Sequence, residues 1–473
     1  MRVSTFLKAV LLPVAVLAAA GSASAASRSI RDFTACDGRS DDTEGLRAAL
    51  TAASHDAFTL VVDCPVVVRI GDDVAKPIFV ESGVTVQFSG GGQLIVDNSG
   101  IPAFVFVNSS DIHLLGWRIM FLGGAPLSGY AEGYHKNGQW VTGKGSVAAW
   151  FNDLTLTPWM TQHRQVTLGG HNLWNGPTNA SSLFYFAGDD GDIEIRDMTV
   201  TVPDFQKVSH YVPMVFSFTT GYPNGWTTVK GNPDNNRPAV PHNITVSNVT
   251  LDGFLMGFQG TMQNATFDHI RAYHYADLQA DDNTQVGGAG KWFAPPHLFY
   301  INADPHGIQP QHIRITDVID EGVRVGVPRD TPQSKGSGNA LSLKIGGNDI
   351  VVDGYVSHRP DSFMDILPSN GLTIRNVEAT YNSAFLNDIY PGIRFPGSAP
   401  GYNNVRFENV HLTDVAPRTR VLPILSVPLP DYNNVVFQNV RVDLHAWQGA
   451  GPLTGPVIKG NNDSTPVAFH LIQ

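Results

Sequence analysis

A degenerate repeat runs along most of this 473-residue chain and restricts its fold more than any other feature. Each copy begins with an Asn, Asp or Gly turn residue and continues as two short alternations of apolar and polar residues, as in residues 243–251, NITVSNVTL. Asn suits such a turn because it tolerates left-handed backbone and can hydrogen-bond to its own backbone. Ten copies align, with first apolar residues Ile112, Val166, Ile193, Ile244, Ala265, Ile313, Ile350, Leu372, Val405 and Val435.

The spacing of the copies predicts a parallel β-helix. The shortest intervals are 21 residues, from Ile244 to Ala265, and 22 residues, from Ile350 to Leu372. This is the length of one three-stranded coil, and longer intervals are the same coil with loop insertions. Alternation buries one side of each strand, and each coil completes its backbone hydrogen bonds only by stacking on its neighbours. A β-sandwich would instead show strands about every 8–12 residues with tight hairpin signals.

We therefore predict an all-β, single-domain right-handed parallel β-helix over residues 26–473, with three sheets and ten or more coils. A short strand before most copies, such as residues 298–301, forms the third sheet. We expect insertions that mostly enter just before these strands to rise as walls beside this sheet and build a binding face. These insertions cover roughly residues 122–163, 219–242, 276–297 and 327–339.

Residues 1–25 have the pattern of a cleaved signal peptide. Arg2 and Lys8 give a positive start, residues 9–20 are apolar, and Ala23-Ser24-Ala25 provides small residues for cleavage. We expect a secreted or periplasmic protein with no membrane partner, because no later segment has the roughly 20 apolar residues that a membrane helix needs.

Two cysteines, Cys36 and Cys64, predict one disulfide, because an exported chain matures in an oxidising compartment. No CxxC motif or His cluster surrounds them, so we expect no metal and no cofactor. The whole chain has a net charge of −11 and no run of Lys or Arg, which excludes nucleic-acid binding through a basic surface. We expect a monomer.

Residues 32–43, DFTACDGRSDDT, followed by 46–50, LRAAL, resemble the opening of the pectate-lyase-like right-handed β-helix superfamily. That superfamily includes polygalacturonase-type glycoside hydrolases, related lyases, alginate epimerases and viral tailspikes. The resemblance implies a first strand and a short capping helix, in an N-terminal cap at about residues 28–75. It also makes Asp37, Asp41 and Asp42 turn and helix-capping residues.

Two shorter motifs resemble parts of family active sites. His306-Gly307 and, one strand later, Ser342-Leu343-Lys344-Ile345 match the order of G-H-G and R-I-K in polygalacturonase-type enzymes. The acid pair that precedes G-H-G in that family is absent from residues 254–259, FLMGFQ. Asp304-Pro305-His306 is similar to the D-P-H of alginate C5-epimerases.

Alternation places a candidate catalytic cluster on one outer face. Leu343 and Ile345 should point inward, so Lys344 should point outward, and Asp365 should stack on it one short coil later. Tyr300 should point outward one coil earlier, with Asp304 and His306 at the turn beyond it. The same argument, together with the loop composition, gives candidate substrate-binding residues Gln259, Asp281, Asp282, Trp292, Asn302 and Ser342.

This cluster predicts an exported enzyme with a polysaccharide or oligosaccharide substrate, and glycosidic hydrolysis is the leading one of three interpretations. Asp304 and Asp365, two coils apart, approach the separation of an inverting acid/base pair, which predicts a polysaccharide-active glycoside hydrolase. Alternatively, Lys344 or His306 removes a proton beside a uronate carboxylate and Tyr300 protonates the leaving oxygen, as in a lyase or C5-epimerase. In the third, the charges form an outer-face ion pair on a non-catalytic glycan-binding β-helix.

Overall fold

The computed structural model describes a parallel β-helix, as the repeat predicts. The described residues are 26–69, 78–97, 103–123, 134–136, 139–141, 165–168, 171–174, 182–203, 214–220, 239–254, 256–276, 297–304, 307–325, 341–358, 362–381, 393–395, 401–418, 432–447 and 468–471. The predicted signal peptide lies outside these residues. No helix in the described ranges is long and apolar enough to cross a membrane.

The N-terminal part contains one α-helix and short strands. The helix α1 spans Thr43–Asp56, and a single 3-10 turn spans Ile30–Asp32. The strands up to the first large insertion are β1 Ser27–Ser29, β2 Thr59–Val62, β3 Pro65–Val68, β4 Ile78–Val80, β5 Thr85–Phe88, β6 Gln93–Asp97, β7 Phe104–Val107, β8 Ser110–Leu115 and β9 Arg118–Gly123.

The strands that follow range from two to twenty residues, and several of the longer ones turn a corner between two sheets. They are β10 Tyr134–Lys136, β11 Gln139–Val141, β12 Gln165–Leu168, β13 His171–Trp174, β14 Ser182–Ala187, β15 Gly191–Thr201, β16 Met214–Thr219, β17 His242–Asp252, β18 Met256–Gly260, β19 Gln263–Ala276, β20 His297–Ile301, β21 Gln311–Val325, β22 Leu341–Ser357, β23 Ser362–Tyr381, β24 Ile393–Arg394, β25 Tyr402–Arg418, β26 Tyr432–Trp447 and β27 Ala468–Leu471.

Nine of the ten aligned copies stack in register. Their first apolar residues pair in one parallel ladder from Ile112 to Val435. The prediction of a coil at Val166 is wrong. β12 forms an antiparallel hairpin with β13, and Ile193 pairs directly with Ile112. A four-residue alternation is common to hairpins and coils, so it could not distinguish the two.

The repeated turn residues have the left-handed backbone that their chemistry predicts. The residue before each stacked copy has a positive φ, for example 54° at Asn243 and 50° at Asn264. The Asn264 amide donates to the Asn243 side-chain oxygen across 3.3 Å, and the Asn243 amide donates to Asp192 across 3.0 Å. These side chains therefore link successive coils and fix the corner between two sheets.

Stacked aromatic rings fill the interior beside the third sheet. Phe184 lies between Phe104 and Phe216, with ring centroids 5.3 and 5.2 Å away, and the column continues through Phe258 to Phe299. Such pairs contribute about 0.5–1.5 kcal/mol each beyond the area that they bury. The stack holds the strands of this sheet in one register, so their outward-facing residues are also aligned.

Helix α1 caps this interior at its N-terminal end. Leu46, Leu50 and Ala53 of the helix belong to the same buried apolar cluster as the inward residues of the coils, which we call the interior cluster. Asp42 occupies the N-cap position, but its carboxylate accepts the backbone N–H groups of Ala35 at 2.8 Å and Val67 at 3.2 Å. The capping residue therefore ties the first turn of the cap to β3.

Cys36 and Cys64 form the predicted disulfide, with Cα atoms 5.5 Å apart and a sequence separation of 28 residues. We expect Cys36→Ser/Cys64→Ser to lower the free energy of unfolding by about 2–4 kcal/mol, because the bridge restricts the unfolded chain. Urea unfolding of the double variant and the oxidised protein measures this difference. Two free thiols in the mass spectrum of the exported protein would contradict the pairing.

Candidate functional site

One column of side chains follows the outer face of the third sheet, and we call it the outer column. Its members pair in register on successive coils. In order they are Phe79, Val105, Tyr185, Ser217, Gln259, Tyr300, Lys344, Asp365 and Arg394. The column is apolar at its N-terminal end and carries charged residues at Lys344 and Asp365.

The predicted stacking of Tyr300, Lys344 and Asp365 is confirmed. Lys344 pairs with Tyr300 on one side and with Asp365 on the other. Its Nζ lies 4.5 Å from the centroid of the Tyr300 ring, a cation–π contact. Leu343 and Ile345, which flank Lys344, are fully buried in the interior cluster. A lysine and a tyrosine are thus held together on neighbouring coils.

Burial differs along this charged part of the column. Tyr300 and Lys344 are half-buried, whereas Asp365 is fully buried. The backbone register places Arg394 beside Asp365 on the side opposite Lys344. A buried carboxylate needs opposite charge or hydrogen-bond donors nearby, and Lys344 pairs with Asp365 in register on the preceding coil.

Ser342 does not face the outside, and that prediction is wrong. Its hydroxyl donates to Asp320 Oδ2 at 2.6 Å and lies 2.7 Å from the hydroxyl of Tyr355, a member of the interior cluster. Residues one position before the stacked phenylalanines, such as Leu298, also belong to that cluster. Strict alternation fails here because two successive residues face inward on β14, β16, β20 and β22.

Gln259 has the predicted place in the outer column, next to Tyr300, but it is 3% exposed. Its Nε2 donates to Ser217 Oγ at 2.5 Å, and Ser217 Oγ lies 2.5 Å from Ser182 Oγ. These three buried polar side chains form a hydrogen-bonded strip beside the Tyr300–Lys344 pair. The strip links the strands beside the Tyr300–Lys344 pair, and because its side chains are buried it offers little surface to a ligand.

Asp304 lies in the predicted turn after β20, and both its oxygens accept hydrogen bonds. Oδ1 accepts the backbone N–H of Ile308 and Oδ2 accepts the Thr220 hydroxyl, each at 2.7 Å. Thr220 follows β16, two coils before Asp304, whereas Asp365 lies two coils after it. The carboxyl group of Asp304 therefore turns away from Asp365.

The remaining predicted residues are only partly described. Asn302 is half-buried at the same turn, where its carbonyl accepts the Thr261 hydroxyl at 2.7 Å. His306, Asp281, Asp282 and Trp292 lie outside the described residues. Within the ranges that are described, no three His, Cys, Asp or Glu side chains meet in a way that could hold a metal ion.

The structure adds His297, which sequence reasoning missed. Its ring contacts Tyr300 edge-on, with centroids 5.2 Å apart and planes at 75°, and the residue is fully buried. Strict alternation would put His297 and Tyr300 on opposite faces of β20. The two inward residues between them, Leu298 and Phe299, bring both rings to the same side.

Comparison with known proteins gives matches to solved structures. No family model matches the chain, and no curated protein matches it. An exopolygalacturonase from Thermotoga maritima matches 89% of this chain and 87% of its own at 10% identity and a TM-score of 0.42. An iota-carrageenase complexed with iota-carrageenan fragments matches 94% and 90% at 10% identity and a TM-score of 0.43.

A surface protein and adhesin of Streptococcus pneumoniae matches 94% of this chain and 97% of its own, at 10% identity and a TM-score of 0.43. The matched structures thus include two enzymes and an adhesin. The function of this chain must therefore be argued from its own residues.

Proposed function

We propose that this protein is an exported enzyme that acts on a uronate-containing polysaccharide by moving the proton at C5, beside the uronate carboxylate. The contact between Lys344 and Tyr300 on the outer column supports this more than any other observation. It pairs a basic side chain with a hydroxyl acid at half-buried positions on adjacent coils. Export is part of the proposal, and the disulfide fits it.

The chemistry needs one base and one acid. Lys344, as the free amine, takes the C5 proton; His306 stays the alternative base. In elimination, the electrons of the C5–H bond form the C4–C5 double bond, the C4–O bond breaks, and the Tyr300 hydroxyl protonates the departing oxygen. In epimerisation, the C4–O bond stays intact and the Tyr300 hydroxyl, as the acid, gives a proton to C5 on its opposite face. On taking the proton Lys344 becomes an ammonium, and this positive charge stabilises the developing carbanion in both reactions.

Hydrolysis by paired carboxylates has less support. It requires two carboxyl groups that reach one glycosidic bond with about 6.5–9.5 Å between them. Asp365 is fully buried, and the Asp304 carboxyl turns towards Thr220 and Ile308, away from Asp365. The two groups do not converge on a common point of the outer face.

A panel of acidic and neutral glycans tests the proposed reaction, with three readouts on each. Elimination gives ultraviolet absorbance from the unsaturated product, and epimerisation in D₂O gives deuterium at C5 without chain cleavage. New reducing ends without absorbance would contradict the proposal and favour the hydrolase. Binding without any turnover would favour a glycan-binding β-helix.

Tyr300→Phe distinguishes the role of the Tyr300 hydroxyl from that of its ring. We expect at least a tenfold lower kcat, because the variant keeps the aromatic face beneath Lys344 but loses the proton donor. Steady-state kinetics on the active glycan measures the change. Tyr185→Phe, in the same column at a buried position three coils earlier, is the matched control and should keep wild-type kcat. An unchanged kcat for Tyr300→Phe would remove Tyr300 from the mechanism.

A further inference from the structure

We propose that His297 is a positioning residue that fixes the ring of Tyr300 for proton transfer; this inference rests on the proposed function. His297 and Tyr300 lie at the two ends of one short segment of β20. Leu298 and Phe299, between them, are both fully buried in the interior cluster. The segment therefore presents His297 and Tyr300 to the outer side as neighbours.

The Tyr300 ring has two described partners with different geometry. Lys344 lies over its face, with Nζ 4.5 Å from the centroid, while His297 meets it at an interplanar angle of 75°. A cation over the face limits the tilt of the ring only weakly, because a lysine chain is flexible. An aromatic ring packed edge-on limits both tilt and rotation.

Burial makes His297 the rigid partner. His297 is fully buried, whereas Tyr300 and Lys344 are half-buried and so have more room to move. Met256, which pairs with His297 in register on the preceding coil, is 2% exposed and lies outside the interior cluster. His297 thus belongs to a buried layer on the outer side of the sheet, from which it can hold Tyr300.

Fixing the ring matters because proton transfer depends on where the hydroxyl lies. A displacement of about 1 Å in a reacting group can reduce the rate by about a hundredfold. His297 contacts the ring of Tyr300, and we assign it no part in the proton transfer itself. It follows that another aromatic residue at position 297 should do the work of His297. It also follows that substitution of His297 should have no effect on kcat once Tyr300 has lost its hydroxyl.

The first experiment measures the ring itself and does not depend on activity. With 3-fluorotyrosine incorporated only at position 300, we expect His297→Ala to shift or broaden the ¹⁹F resonance. His297→Phe should restore a single sharp line, and Met256→Ala, the matched buried truncation, should leave the wild-type line unchanged. A wild-type spectrum in His297→Ala would overturn the positioning role, whatever the protein catalyses.

The second experiment is a double-mutant cycle on kcat. We expect His297→Ala to lower kcat about tenfold with little change in KM, and His297→Phe to recover most of it. In the Tyr300→Phe background, His297→Ala should have no further effect, because the hydroxyl that it positions is gone. Additive losses would overturn action through Tyr300. Full activity of Tyr300→Phe would instead refute the proposed function, while the ¹⁹F result would still decide the positioning role.

Discussion

Lys344→Ala is expected to lower kcat/KM at least a hundredfold without unfolding the protein. The side chain is half-buried on the outer face, so its loss leaves no interior cavity, and the proposed mechanism loses its base. A hundredfold loss corresponds to about 2.7 kcal/mol of transition-state stabilisation. Kinetics on the active glycan, together with thermal unfolding, measures both quantities.

Asp365→Asn should have an effect of similar size for a different reason. The Asp365 carboxyl is fully buried and pairs in register with Lys344, so we assign it the orientation of the Lys344 side chain. Asn keeps the shape but removes the negative charge. We expect a hundredfold loss of kcat/KM, with far-ultraviolet circular dichroism unchanged.

Arg375→Ala is the matched control for both variants. Arg375 forms an ion pair with Asp353 on the neighbouring coil across 2.8 Å, but this pair lies on a different sheet. It should lower stability by at most about 1 kcal/mol and leave turnover unchanged. Normal turnover in both Lys344→Ala and Asp365→Asn would show that the charged end of the outer column is structural.

The sequence predicted those parts of the fold that repeat. Asn243 and Asn264 predicted corners with a left-handed backbone, because few other residue types adopt that conformation. The structure has a positive φ at both residues. Alternation around Lys344 then gave the correct stacking of Tyr300, Lys344 and Asp365. A residue that repeats on every coil has the same neighbours each time, so local pattern and long-range pairing agree.

Local departures from the repeat could not be predicted in the same way. Ser342 and His297 were misplaced or missed because two successive residues on these strands face inward, which reverses the alternation before them. The direction of the Asp304 carboxyl depends on Thr220, 84 residues earlier in the chain. Neither feature leaves a periodic signal in the sequence.

The interior network of Asp320, Ser342 and Tyr355 gives a large effect of another kind, on the free energy of unfolding. Asp320 pairs in register with the inward residues Ala272 and Ser357 and is 1% exposed. Its Oδ1 accepts the Gly322 N–H at 3.1 Å and its Oδ2 accepts the Ser342 hydroxyl at 2.6 Å. We expect Asp320→Ala to lower the free energy of unfolding by about 3–5 kcal/mol, because two buried donors lose their acceptor and a cavity remains.

Substitutions around this network separate a structural role from substrate binding. Asp320→Asn should cost less than half as much, because an amide still accepts one hydrogen bond and the Ser342 hydroxyl can reverse its direction. Ser342→Ala should lower the free energy of unfolding by about 1–3 kcal/mol, since Asp320 and Tyr355 then lack their common partner. Urea unfolding measures these losses. We expect kcat and KM of folded Ser342→Ala to match wild type because Ser342 is fully buried, and a raised KM at unchanged stability would instead return Ser342 to the substrate site.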